Sequence, residues 1–260
     1  MINPFSCALD TVRYRIGDKG ESFRIVHISD LHDEFYGENN KDLIAVIESE
    51  SPDIVAFTGD LTEPYTDHAS MKQILSYCSG KYPTFCSMGN HETRGDIKEI
   101  KELVKASGAI LLDGKAERVA VGERAVDIYG IDSYYTELLC EEKNLSPWEE
   151  QVDHCLSEKE KRKSDNAFSL LLYHRPDFVK GFEKWGFDLV LSGHAHGGQF
   201  RIPKILNGLY APNQGIFPRY AGGYYSLKNT KLIVSRGLCR RRFPRIYNRP
   251  EIVVVDICRE

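Results

Sequence analysis

The sequence predicts an α/β fold whose strands deliver functional side chains to one rim, and three observations lead there. Apolar runs of strand length recur along the chain, separated by segments with helical spacing. These runs are nearly continuous rather than alternating, as strands covered on both faces are. Those at 23–29, 54–58, 83–88, 168–173 and 188–192 each stop directly before a short segment rich in Asp, Asn or His. An open α/β sheet binds its ligand at the C-terminal ends of its strands.

Taken in order, the first run, Phe23-Arg24-Ile25-Val26-His27-Ile28-Ser29, leads into Asp30-Leu31-His32. Asn39 or Asn40 is placed to cap a helix that carries Leu43, Ile44 and Ile47 at helical spacing and ends before Ser51-Pro52. Strand 54–58 completes a βαβ unit and runs into Gly59-Asp60. Residues 67–79 read as a second helix, and strand 83–88 precedes Gly89-Asn90-His91-Glu92. A helix over 95–107 sets Ile97, Ile100, Leu103 and Val104 on one face, with Gly108 suited to its C-terminal stop. Strands are then expected at 109–112, 118–121 and 125–131. Strand 168–173 ends on His174, strand 188–192 ends on Gly193-His194-Ala195-His196, and 231–235 and 251–257 are the last strands.

Two stretches break this rhythm. Residues 137–166 form a charged helical insertion, poor in strand formers, in which Ser146-Pro147-Trp148-Glu149 supplies a cap, a proline at the first helical position and a glutamate three residues after the cap. A surface helix to about residue 163 follows. It reads first as a solvated connection and, more sharply, as a substrate lid offering Trp148, Tyr134 and Tyr135. Between the last two strands, Arg236, Arg240, Arg241, Arg242, Arg245 and Arg249 occur without an acidic residue. An anion-binding rim and a solvated charge run are equally weighted readings of them.

With 260 residues, 42% of them apolar, the chain suffices for one sizeable core, and a single domain over 1–260 is expected. The formal charge of −4 gives no general pull towards nucleic acid, so no nucleic-acid partner is expected and attraction for a phosphate must be local. No run approaches the roughly 18–20 apolar residues of a membrane helix, and residues 1–10 lack a signal-peptide pattern, so a soluble, cytoplasmic protein is expected. The seven cysteines form no C-x-x-C pair, which suits a reducing compartment and a role as apolar fillers or surface thiols.

The motif side chains are carboxylate, amide and imidazole, the set that hard or borderline divalent cations take. No cysteine is among them, which argues against a structural zinc knot. D-x-H, G-D, G-N-H-E, H and G-H-x-H, in this order, resemble the motif set of the calcineurin-like metallophosphoesterases, from about residue 23 to the C-terminus. The resemblance implies a two-layered β-sandwich flanked by helices and two divalent metal ions, manganese first, with iron, zinc, nickel or cobalt as alternatives. It implies Asp60 as the bridge, Asp30, His32 and His196 at the first metal, and Asn90, His174 and His194 at the second. If residues 30–32 are extended, alternate side chains face the same way and Asp30 and His32 reach one ion together.

The resemblance further places His91 over the substrate as general acid, with Glu92 as its orienter. A metal-bound hydroxide is the implied nucleophile, so no protein nucleophile is assigned. His27 reads as a structural histidine, His68 and His154 as surface, and Asp33 and Glu34 as loop or supporting groups. Glu63 stands where many relatives carry aspartate. Gly197-Gly198-Gln199, Pro218-Arg219-Tyr220, Gly222-Gly223-Tyr224, Ser235-Arg236-Gly237 and Arg249-Pro250-Glu251 are similar to a bacterial phosphodiesterase branch that includes UDP-diacylglucosamine pyrophosphohydrolases. The expected activity is a phosphodiesterase or pyrophosphohydrolase for a small phosphate-ester substrate. A phosphomonoesterase or phosphoprotein phosphatase, and a binding scaffold with a silent site, are the alternatives.

Overall fold

The structure is a computed structural model that describes residues 3–133, 146–162, 167–202, 204–240 and 245–260. Two six-stranded sheets form its frame. With strands numbered along the chain, the first sheet runs β1 (Asp10–Asp18), β14 (Glu251–Arg259), β2 (Phe23–Ile28), β3 (Ile54–Thr58), β4 (Thr84–Ser87), β5 (Ile110–Leu111). The second runs β12 (Gly223–Ser226), β13 (Lys231–Val234), β9 (Leu189–Ser192), β8 (Phe168–Tyr173), β7 (Arg124–Ile131), β6 (Ala116–Val121). Strands β2 to β5 are parallel to one another, as are β7, β8, β9 and β13. A short hairpin, β10 (Tyr210–Ala211) and β11 (Gly215–Ile216), stands apart from both sheets.

Strand alternation divides the apolar side chains between two layers. Ile25, Ile54, Ala56 and Phe85 of the first sheet form one buried cluster with Val126, Ile128, Leu170, Leu172, Leu189 and Leu191 of the second, which is the sandwich interior. The next residues along, Val26, Val55 and Phe57, face the other way. They pack with Leu43 and Ile47 of α1 (Lys41–Glu50), Met71 and Ile74 of α2 (Ala69–Ser79) and Ile100 and Val104 of α3 (Ile97–Ala106). On the outer face of the second sheet, Leu171, Tyr173 and Val190 cluster with Val152 and Cys155 of α4 (Ser146–Arg162) and with Phe182 and Trp185 of α5 (Val179–Trp185). Both faces of each central strand are thus covered, which is why these strands read as unbroken apolar runs. The expected two-layered β-sandwich flanked by helices is the fold observed.

The differences from expectation have local causes. Strand β1 was not anticipated; its Val12, Tyr14 and Ile16 alternate, but only Ile16 is buried, because β1 is an edge strand paired with β14 alone. Helix α5 was too short to register. Asn40 precedes α1 without capping it through its side chain; its amide instead accepts from Tyr36 N at 3.0 Å and donates to Ser70 and Gln73. Helix α3 is capped by Asp96, which accepts from Lys98 N and Glu99 N.

The helix of the charged insertion is a fixed layer rather than a solvated connection. Val152 and Cys155 are buried, and the Trp148 ring lies 5.0 Å from that of Phe178 and 6.4 Å from that of Trp185. Burying one aliphatic side chain is worth roughly 1.5–3 kcal/mol, enough to hold a helix of this length against the sheet. Trp148 is thereby engaged in the core. Tyr134 and Tyr135, the other proposed lid contacts, lie outside the described residues. No helix among the described residues is long and apolar enough to cross a membrane.

Hydrogen bonds join the C-terminal ends of the strands of both sheets into one rim. Asp30 N donates to Gly59 O at 3.1 Å, Gly193 N to His174 O at 2.9 Å and Ser235 N to Ser192 O at 2.8 Å. The His174 ring crosses between the sheets to Thr58 O at 2.6 Å. Gly59 makes the tightest approach to another backbone at this rim: its φ is +84°, and a Cβ there would stand 2.2 Å from Gly89 N. Neither backbone can yield without moving Asp60 or Asn90. Gly59→Ala is expected to lower stability by at least roughly 2–3 kcal/mol, read as the shift in a denaturant midpoint. A variant with the wild-type midpoint would show that the rim does not need this contact.

Candidate metal centre

The loops after β2, β3, β4, β8 and β9 bring Asp30, His32, Asp60, His91, His174, His194 and His196 to one buried place, and Asn90 is buried beside His91 in the chain. Among the described residues, Asp30, His32, Asp60 and His196 form one group whose ligand atoms all lie within 4.8 Å of one another, and Asp60, His174 and His194 form a second. Asp60 belongs to both. Its Oδ2 lies 3.1 Å from His174 Nε2, and its Oδ1 accepts from His91 N at 2.7 Å. Asp30 accepts from His194 N at 3.0 Å, and its Oδ1 lies 3.4 Å from His196 Nε2.

These side chains do not converge by the extended geometry expected from the sequence. Asp30 and His32 have φ of 53° and 49°, and Asp60, His194 and His196 also lie in the left-handed region at 52°, 68° and 46°. The loops after β2, β3 and β9 turn sharply as they leave their strands, so the convergence there comes from turns rather than from strand alternation. Non-glycine residues in this region are uncommon and cluster at functional sites.

The donor set fits divalent cations. Each of three imidazoles has one nitrogen held by an acceptor: His32 Nδ1 by Glu63 at 2.6 Å, His174 Nδ1 by Thr58 O at 2.6 Å and His194 Nε2 by Asn213 Oδ1 at 2.8 Å. The opposite nitrogen then presents its lone pair inwards, as metal-binding histidines are held. His32 Nε2 and Asn90 Oδ1 are buried without a hydrogen-bond partner. A cation is a partner that both atoms could take.

The electrostatics reinforce this. Burial raises Asp30, and Asp60 adds to the effect. Burial also opposes a charge on Asp60, but His174 overrides it and holds that carboxyl well below its usual range. His174 is pushed up to about 9, because Asp60 outweighs the burial that opposes its charge. Burial, with His174 adding, pushes His194 down to about 3; burial and His32 hold His196 well below its ordinary value. Ionised Asp60 thus draws positive charge onto His174 while His194 and His196 are held neutral, a demand for positive charge at this spot.

A match to the model of the calcineurin-like phosphoesterases over residues 23–198 decides the relationship. The chain belongs to the calcineurin-like phosphoesterase family. Hydrolysis of phosphoric esters with divalent metals is the chemistry of this phosphoesterase family. The chain is 30% identical over 245 residues to the uncharacterized metallophosphoesterase YkuE of Bacillus subtilis, covering 91% of this chain and 79% of that one. It is 24% identical over 258 residues to the phosphodiesterase YaeI of Escherichia coli, covering 95% and 88%. In fold it is similar to TT1561 of Thermus thermophilus, with a TM-score of 0.54, 10% identity and coverage of 84% of this chain and 91% of that one.

Other residues of this phosphoesterase fall into place around the centre. His91 adjoins it, its Nδ1 3.1 Å from Glu63 Oε2. Glu92 is not the orienter of His91. Its carboxylate accepts from Asp60 N at 3.0 Å, Leu61 N at 2.7 Å and Gly89 N at 2.8 Å, tying the β3 and β4 loops together. Glu63 orients His91 instead and holds His32 with its other oxygen; burial disfavours its charge, but His32 and His91 more than offset this and keep it ionised. Sequence reasoning noted Glu63 only as a departure from aspartate and missed Asn213, for which an isolated asparagine offers no signal.

The blander readings of His27, Asp33, Glu34 and His154 stand up in structural terms, and that of His68 does not. His27 Nε2 is bonded to Thr58 Oγ1 at 2.7 Å inside the sandwich. Asp33 accepts from Met71 N, and Glu34 pairs with Arg240 at 2.9 Å. His68 is half-buried against Thr62 rather than on the surface, and His154 is exposed, its ring held by Gly114 O.

The described arginines of the last loop hold the fold. Arg236 pairs with Glu251 at 2.6 Å and with Asp10 at 3.1 Å, Arg245 is buried and donates to backbone carbonyls, and Arg249 donates to Ala8 O and Leu9 O. Arg240 pairs with Glu34 and lies over the Tyr36 ring at 4.2 Å. An anion-binding rim is therefore not their arrangement, because this loop crosses the ends of β2 and β14 where acidic partners and carbonyls await it. Arg241 and Arg242 lie outside the described residues.

The two glutamates separate by experiment. Glu92→Gln places an amide group against backbone N–H donors, and an unmet buried donor costs about 1–3 kcal/mol, so the melting temperature should fall by roughly 2–4 °C per kcal/mol. Glu63→Gln should leave the melting temperature nearly unchanged and weaken metal binding by about 10–100-fold, measured by equilibrium dialysis. Unaltered metal affinity in Glu63→Gln would remove Glu63 from the support of His32.

Proposed function

We propose that the chain is a dinuclear metal-dependent phosphodiesterase or pyrophosphohydrolase acting on a small organic phosphate. The observation that carries this reading is the sharing of Asp60 between two groups of ligand atoms. Asp30, His32, Asp60 and His196 would hold one ion, and Asp60, Asn90, His174 and His194 the other. When bound, such a pair neutralises phosphoryl charge and activates water at neutral pH. The similarity to a phosphodiesterase along 95% of the chain favours a diester over a monoester.

The protein's own groups position the ester and its leaving oxygen. His91 lies between Glu63, 3.1 Å from its Nδ1, and Arg94, whose Nη1 is 2.8 Å from its Nε2. Glu63 holds His91 through Nδ1 and so fixes the ring with Nε2 directed away from it, towards the position of a departing oxygen to which His91 would give a proton. Arg94 is exposed at the mouth of a cavity of about 510 Å³ whose lining includes Glu63, Tyr65, His68, His91 and Asp96. A phosphate entering there takes the guanidinium and frees His91 Nε2 for the leaving group. The cavity then holds the organic part of the substrate.

Asp60→Asn keeps the side-chain shape and removes the shared charge. It should lose at least one equivalent of metal and nearly all turnover, read by metal analysis beside hydrolysis of bis- and mono-nitrophenyl phosphate. Full two-metal content with normal turnover would sink the dinuclear reading, and faster cleavage of the monoester by wild type would make the protein a phosphomonoesterase.

For His91→Ala, kcat should fall by roughly 10²–10⁴-fold with metal content retained, and fall most for alkyl leaving groups. Equal losses for nitrophenyl and alkyl esters would take the proton donor role away. Arg94→Gln should instead act mainly on KM.

A further inference from the structure

Cys239 lies beside the first ligand group although the motif set contains no cysteine. Its thiol and the imidazoles of His32 and His196 form a cluster whose ligand atoms all lie within 4.8 Å of one another. The same two imidazoles belong to the group of Asp30, His32, Asp60 and His196, whereas the group of Asp60, His174 and His194 does not include the thiol. Cys239 therefore borders one metal position and not the other.

The placement is built from the backbone. Strand β13 ends at the rim, and the chain beyond it runs along the first motif: Leu238 N donates to Ser29 O at 3.0 Å and Cys239 N to Asp30 O at 2.7 Å. Arg245 Nε donates to Cys239 O at 2.5 Å from the other side. Gly237, with φ of +71°, permits this approach, since a Cβ there would stand 2.6 Å from Asp30 Cβ. Cys239 is 5% exposed. The buried His32 Nε2, which has no hydrogen-bond partner, independently marks the same spot as one where a ligand belongs.

We propose that Cys239 is a further ligand of the first metal ion, adding a thiolate sulfur to the oxygens and imidazoles of Asp30, His32, Asp60 and His196. This rests on the dinuclear reading above. On ligation the S–H bond breaks, the sulfur keeps the electron pair for the metal and the proton passes to solvent. A soft sulfur ligand favours zinc, cobalt and iron over manganese. The two positions then differ in kind: the first selects a thiophilic ion, and the second, all oxygen and imidazole, accepts manganese. The sequence-based preference for manganese applies to the second position alone.

The test is cobalt substitution of the full-length protein followed by absorption spectroscopy. Visible ligand-field bands and bound cobalt report occupancy whatever the ligands; a near-ultraviolet sulfur-to-cobalt charge-transfer band reports thiolate ligation alone. Wild type and the surface control Cys7→Ser should show both features, and Cys239→Ser should keep the ligand-field bands and lose the charge-transfer band. Its selectivity for zinc over manganese at the first position should fall by about tenfold or more.

Bound cobalt without a charge-transfer band in wild type, or a band that survives in Cys239→Ser, overturns the proposal and leaves the dinuclear centre standing. Failure of wild type to bind cobalt removes both. Should Cys239→Ser not fold, X-ray absorption at the zinc edge of the wild-type protein decides the matter: sulfur in the first coordination sphere supports the assignment, and only nitrogen and oxygen refutes it.

Discussion

The concentration of charge around the buried carboxylate of Asp60 is the constraint on which the rest of the site depends. Asp30 and Asp60 are both buried at the junction of the two sheets. Removing a carboxylate from water costs several kcal/mol unless matching charge and hydrogen bonds are supplied. Here the match is assembled from many elements. His174 from the second sheet faces Asp60, backbone N–H groups of His91 and His194 point at the two acids, and Glu92 fastens the loops that carry them. Each contribution requires the loops to hold their turned conformations, and the left-handed residues along the rim are the visible cost of that arrangement.

The sandwich explains how such a site stays rigid. Its central strands are covered on both faces by apolar clusters, so the strand ends cannot shift independently. Both sheets supply side chains to the same place, with Asp30, His32 and Asp60 following β2 and β3, and His174, His194 and His196 following β8 and β9. Bonding of the His174 ring to Thr58 O crosses from one sheet to the other. The metal position is in this sense a joint between the two halves of the fold.

Glu63 couples the centre to His91 at its edge. One oxygen holds a histidine of the first ligand group, and the other holds His91, which faces the cavity beside Arg94. A change at either ring is felt by the other through a single carboxylate. The arginines after β13 serve a different end: through Glu34, Glu251 and backbone carbonyls they secure the loop that brings Gly237 and Cys239 against Asp30.

By itself the sequence determined the α/β class, most central strands, the helices α1 to α4 and the identities of the residues that gather at the rim. Apolar runs, helical spacing and short motifs are local properties, and they are legible because strand ends in such a fold must face one rim. Only the tertiary structure decided how those residues meet. It replaced extended alternation by left-handed turns, moved the support of His91 from Glu92 to Glu63, and brought Asn213 against His194. It also settled that Trp148 packs in the core, that Arg236, Arg240, Arg245 and Arg249 brace loops, and that Cys239 lies beside the first ligand group. Each of these contacts joins residues far apart in the chain, or depends on which way a turn directs a side chain. Periodicity and composition carry no record of such distances, because they are set by the packing of one loop against another.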